Sequence, residues 1–305
     1  MQVCFFPQTK YALKNITNTF NTVWPIAAGL WNLRCYVCGV KQEFPSITEA
    51  QFASKFSLGS GIHGVNYNHA FFEKNWEDQR EDFAWILLNS TIPVFEAWAE
   101  DIHKKFTFIN KKHIQYTNEI LQQISLIDKY ESSLMKKCIY PSFERQKDSN
   151  IIKIKNLIKC FQFFKEMRNC YMHNGSIADK KLLISYNNFS QITNPVDLDM
   201  KEIPEHFYPI IDQKIRISLR GIVGFSAVVR KIMFTLDSEL VRTTIAESDF
   251  VERWKSKNLH NRTLKSNSDK AEAQIIRYIK QCGLPTPHAL SDLTNYLLVN
   301  QLISR

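Results

Sequence analysis

Apolar residues recur three and four positions apart over several long stretches of the chain, the spacing of amphipathic helices. Residues 14 to 40 carry Phe20, Val23, Trp24, Ala27, Leu30, Trp31 and Leu33 in this pattern, and Pro25 is expected to mark the true start of that helix. From Lys41 to Asn75 the pattern fades, and a long connection with short structured pieces is expected. Trp76 to Phe106 predicts a helix through Phe83, Leu87, Ile92, Phe95 and Trp98, kinked or divided at Pro93. Ile114 to Cys138 predicts another, along Ile120, Leu121, Ile124, Ile127, Tyr130 and Leu134, stopped by Pro141. The next spans about Phe143 to His173, with Ile151, Ile154, Leu157, Ile158, Phe161, Phe164 and Met167 as its apolar arc. Leu182 to Pro209 reads as a loop with weak strand or turn character. Ile211 to Leu240 is again helical, through Ile215, Leu219, Ile222, Phe225, Val229, Ile232 and Leu236. Lys255 to Lys270 reads as a polar linker, before short helices near Ala271 to Cys282 and Leu290 to Leu302. Four long helices joined by variable loops make an all-α bundle the default.

Composition narrows this only a little. The 305 residues are 44% hydrophobic and 23% charged, enough apolar material for a real core. Nine Gly and ten Pro are too few for an all-β chain rich in turns. The net charge of +9 favours polyanionic partners, nucleic acid before membrane. No segment approaches the ~18 uncharged apolar residues of a membrane span, and no signal-peptide pattern opens the chain. A soluble, cytoplasmic protein is therefore expected, and its seven cysteines are expected to be reduced.

Two spellings suggest chemistry and fail on context. Cys35 and Cys38 form a CxxC, yet no second pair follows at zinc spacing, and LWNLRCYVCGV reads as packed helix. GSGIHG, Gly59 to Gly64, matches a dinucleotide-binding turn but lacks the strand before it and the helix after it. A flexible loop is expected there.

The stretch FQFFKEMRNCYMHNGSIAD, Phe161 to Asp179, carries more. Glu166, Asn169 and His173 line one side of a helix that Asn174-Gly175 can close, and Asn169 stands where it could orient the ring. Arg168 lies about 140° around from His173, among Leu157, Phe161, Phe164 and Met172. An arginine there needs an anion, a carboxylate or carbonyls, or else must snorkel to water. His173 could equally serve only as a cation at a helix C-terminus.

The string Arg168-Asn169-Cys170-Tyr171-Met172-His173 resembles the RxxxxH signature of HEPN-superfamily ribonucleases, with Asn169 at the polar position after the arginine. The likeness covers roughly residues 76 to 240. It implies an all-α, HEPN-like four-helix bundle that dimerises, bringing two motifs into one cleft. It further implies a metal-independent RNA endonuclease, without cofactor, that leaves 2′,3′-cyclic phosphate and 5′-hydroxyl ends. In that scheme His173 is general base or acid, Arg168 holds the phosphate and Asn169 positions the histidine or the substrate. The 140° separation would be overcome by unwinding of the last turn, or by a composite cleft in a homodimer whose interface uses phenylalanines near Arg168. A toxin or antiviral defence role, with an antitoxin or regulatory partner, follows from the same resemblance. The chain then divides into an N-terminal helical segment and loop (1–75), the bundle (76–242) and a C-terminal basic linker with helices (243–305). Lys165, Lys255, Lys257 and Arg262 are candidate RNA contacts, with Lys265, Lys270 and Trp254 nearby. A catalytically silent helical module that binds RNA or protein is the rival.

Overall fold

The computed structural model describes residues 3–109, 112 and 126–304. Among these residues the regular structure is helical, and pairing of extended backbone is limited to three isolated bridges. The long helices are α1 (Pro7–Glu43), α3 (Trp76–Lys105), α5 (Ile154–His173) and α7 (Leu219–Val241). Between them lie α2 (Glu49–Phe56), α4 (Tyr140–Glu144) and α6 (Lys180–Phe189). After α7 come α8 (Thr244–Ser256), α9 (Ser268–Gln281) and α10 (Leu290–Val299). One buried cluster runs from Phe5 to Ile303, so the chain's first and last segments share the core of the central helices. A smaller cluster of Val37, Phe52, Tyr67 and Phe71 seats α2 on the end of α1. None of the described helices is long and apolar enough to cross a membrane.

Neither expected proline break occurs. Pro25 lies inside α1 and Pro93 inside α3, and both are exposed. A proline costs a helix one hydrogen bond and frees the carbonyl four residues earlier. Each proline faces outward on its helix, and the helix continues through it. The N-terminus of α1 has no side-chain cap of its own; Asp237 on α7 accepts from the Phe5 and Phe6 N–H groups at 2.7 and 3.2 Å. For α3, Asn75 accepts from Asp78 N at 2.9 Å, with Glu77 and Asp78 in the first turn. Those carboxylates suit the positive helix end.

Other boundaries also moved. The first half of the helix expected over Ile114 to Cys138, residues 114 to 125, lies outside the described residues. Its far end is interrupted: Ser132 N donates to Arg242 O at 2.8 Å and Glu131 bridges Thr243, which takes this backbone out of a helical ladder. Pro141 does not stop the chain but sits in the first turn of α4, where its missing N–H is harmless. α5 begins at Ile154, not Phe143, after a 3₁₀ turn at Ile151–Lys153. The expected loop over Leu182 to Pro209 holds α6, capped by Asp179, whose carboxylate accepts from Leu182 N at 2.8 Å. α7 starts at Leu219, because residues 211 to 213 form a turn with Asp212 at φ +63° and residues 214 to 218 are not helical. The Lys255 to Lys270 stretch is not a free linker: Leu264 N donates to Ser304 O, and the Gln274 amide donates to Thr263 O. Glycines Gly59, Gly61 and Gly64 all have positive φ in the GSGIHG loop, consistent with a turn-rich connection.

Phe95 meets Phe161 at 4.4 Å between ring centres, and Phe164 meets Phe225 at 4.7 Å, so α5 is clamped between α3 and α7. The segment 203 to 217 then straps across α7 and α5. It fits because Gly221 and Gly224 offer no side chain: a Cβ at Gly221 would stand 2.2 Å from Glu205 O. Alanine is normally the better helix former by about 1 kcal/mol. Here the strap backbone would have to shift, so Gly221→Ala is expected to lose about 1–3 kcal/mol net. Urea denaturation of the two proteins checks this; a stabilised variant would contradict the strap contact.

Candidate functional site

α5 delivers the motif. Its buried face carries Phe161, Phe163, Phe164 and Met167 into the core, and the helix stays regular through His173. Asn174 N and Ser176 N then both donate to Cys170 O, at 3.0 and 3.1 Å, while Gly175 takes φ +58°. This is the closure expected of a left-handed C′ residue, and it holds the last turn intact. The last turn is therefore not unwound, and Arg168 and His173 stay on different sides of α5. The phenylalanines expected to form a dimer interface are no more than 1% exposed; they are core.

His173 itself is exposed at the helix end. Asn169 does not orient it: its amide donates to Glu166 Oε2 at 3.3 Å, one turn earlier. Cys170 is buried, and burial pushes its thiol up to about 11, which leaves it an inert packing residue. Arg168 is half-buried. Its Nε is enclosed and has no hydrogen-bond partner among the described residues. An enclosed guanidinium N–H without an acceptor costs on the order of 1–3 kcal/mol, so this arginine is not satisfied by the fold around it.

The register of α3 against α5 locates a second such atom. Trp85 stacks on Tyr171 at 4.2 Å, and Phe95 meets Phe161 ten residues further along α3 and ten back along α5. The helices thus run antiparallel, and Asn89, four residues past Trp85, comes level with Arg168, three before Tyr171. Asn89 Oδ1 is likewise enclosed with no partner. Sequence periodicity could not single out Asn89, whose interest depends on the facing helix.

Of the candidate RNA contacts, Lys165 is removed from the surface: it is 5% exposed and its ammonium pairs with Glu96 on α3. Lys255, Lys257 and Arg262 are exposed, on the end of α8 and the turn after it. Trp254 beside them is fully buried and donates its indole N–H to Leu302 O at 2.7 Å, so it presents no ring to a ligand. Cys35 and Cys38 sit within α1 as free thiols, Cys35 exposed and therefore not packed as expected. No group of three or more potential metal ligands exists among the described residues.

Two hollows border the motif helix. One, about 520 Å³, is lined by Glu73, Asp78, Glu81, Asp82, Trp85 and Tyr171 with Lys214, and its carboxylates outnumber its cations. The other, about 170 Å³, lies between Phe163 and Met167 of α5 and the strap residues Phe207, Tyr208, Lys214 and Arg216. The strap was read as loop and helix, but its KIRIS alternation was a usable signal. Ile215 and Ile217 are buried while Lys214 and Arg216 point outward, the period of extended chain. The pairing is local: Ile215 N donates to Ser176 O at 2.8 Å, and Lys214 bridges Ile177, directly after the motif.

Compared with known proteins, the chain matches no family model, no curated protein and no solved structure.

Proposed function

We propose that the protein is a metal-independent RNA endonuclease of HEPN type, acting as a homodimer with a composite cleft. The observation that carries this is Arg168: a half-buried guanidinium with an unsatisfied Nε, on the same helix as an exposed histidine. A phosphodiester supplies the anion that such an arginine lacks. His173 takes the proton of a ribose 2′-hydroxyl as its oxygen bonds to the adjacent phosphorus. The P–O5′ bond breaks, and O5′ takes its proton from water. Arg168 stabilises the charge that builds on the phosphate oxygens. With α5 regular through His173, one helix holds the two groups about 140° apart. Two copies related by a two-fold axis can offer Arg168 of one and His173 of the other to the same phosphate. The exposed Met172 and Ile86 flank this seam and suit such a contact. A toxin or defence effector held in check by a regulatory partner is the setting that the resemblance implies.

The second reading, a catalytically silent helical module, is favoured by the acidic hollow at the end of α5 and by Asn169 bonding Glu166 instead of the histidine. Incubation of the full chain with RNA in EDTA separates the two. The endonuclease cleaves without added metal; a silent module leaves the RNA intact.

A further inference from the structure

The strap over α5 and α6 places exposed aromatic rings and cations beside the motif. Phe207 and Tyr208 are 41% and 60% exposed, although neighbouring Pro204 and Pro209 are buried. Tyr208 meets Tyr186 in a T-shaped contact, with centres 5.1 Å apart and planes at 87°. The Arg216 guanidinium lies 5.6 Å from the centre of the Phe207 ring. Lys214 is exposed one step along, and Lys180 and Lys181 stand exposed at the start of α6. The backbone under these side chains is fixed: Gly221 and Gly224 seat it on α7, and Ala178 bonds it at Asp212 and Gln213.

Large rings this exposed on a fixed backbone suit a ligand, and the hollow beneath them limits what that ligand is. At about 170 Å³ it is well below the roughly 300–1,000 Å³ of a typical cofactor or drug-sized site. It takes one flat ring between Phe163, Met167 and the strap. Rings flanked by lysine and arginine suit successive unpaired bases and their phosphates. A duplex, whose bases are already stacked on one another, has no face to give.

We infer that Phe207, Tyr208, Lys214 and Arg216 form a binding platform for single-stranded RNA, leading to the α5 motif. This rests on the proposal that RNA is the substrate, and it specifies which RNA: unpaired segments. Lys214 lines both the small hollow and the larger one that reaches Tyr171, so the platform abuts the residues between Arg168 and His173.

The test uses the full chain carrying His173→Ala, so that cleavage does not interfere, and a fluorescent twelve-nucleotide oligouridylate read by anisotropy. Tyr208→Ala is expected to weaken binding roughly tenfold or more, and Tyr208→Phe to bind as the parent does. Lys214→Ala is expected to lower the slope of log affinity against log salt by about 0.7. A twelve-base-pair RNA duplex is expected to compete poorly. Equal affinity of the parent and Tyr208→Ala, or no binding by the parent at low salt, overturns the platform. If the wild-type chain cleaves RNA while the ring variants bind normally, the endonuclease stands and the platform falls. Ring-dependent binding by a chain that never cleaves upholds the platform and removes the nuclease.

Discussion

Replacing His173 by alanine is expected to cut RNA cleavage in EDTA by about 10²- to 10⁴-fold, the usual contribution of a positioned general acid or base. Arg168→Ala is expected to cost at least about 10²-fold, the size of a lost oxyanion donor. The two defects should differ in kind. Histidine truncation removes the proton acceptor, while arginine truncation removes the positive charge facing the reacting phosphate. Neither change should disturb the fold much. His173 is exposed and makes no packing contact of note, and Arg168 leaves one fewer unsatisfied donor when removed. With the composite cleft proposed above, mixing the two dead variants is expected to restore activity: a mixed dimer keeps one intact pair of Arg168 and His173. Initial rates of a mixing series measure this. Absence of any recovery would mean that each copy works alone or not at all.

The second large effect concerns stability. Asp237 lies on α7, 1% exposed, and its two oxygens accept from Phe5 N and Phe6 N at the start of α1. Arg253 closes the same corner, donating to Phe5 O at 2.7 Å with its guanidinium 4.4 Å from the Phe5 ring. Asp237→Ala leaves two buried N–H groups without acceptors, a loss of about 2–4 kcal/mol. That loss should depend on pH. Burial pushes the Asp237 carboxyl up to about 6 from 3.8, outweighing hydrogen bonds from Thr9, Phe5 and Phe6 that favour the charged form. A raised carboxyl binds its proton more tightly in the folded chain than in the unfolded one. Its favourable contribution is therefore complete below about pH 4 and is lost as pH rises through 6. The span is on the order of 3 kcal/mol. Urea midpoints should thus place the variant further below wild type at pH 4.5 than at pH 7.5. Equal gaps at both values would contradict the assignment.

Helix existence was legible along most of the chain because spacing of three and four survives any tertiary arrangement. Phe83 to Trp98 and Ile154 to Met167 are buried as their periodicity requires. What could not be read depends on contacts between distant residues. Pro25 and Pro93 look like breaks until the outward-facing side on which each sits is known. α1 has no capping sequence because its acceptor lies on α7. Lys165 resembles any surface lysine until Glu96 meets it from α3. The candidate site was partly legible: the positions of Arg168 and His173 on α5 and its closure at Gly175 are as the string suggests. Asn89 and the strap were not. The first is defined only by helix register, and the second shows only in the short KIRIS alternation of residues 214 to 218, which the helical spacing around it overrides.

The chemistry of the new RNA ends tests the central claim most directly. An oligoribonucleotide of defined sequence, cut by the full chain in EDTA, would be analysed by mass spectrometry of the fragments. Attack by a 2′-hydroxyl under His173 and Arg168 predicts a 2′,3′-cyclic phosphate on one fragment and a free 5′-hydroxyl on the other. Fragments bearing a 5′-phosphate and a 3′-hydroxyl, or an RNA left whole, would contradict it.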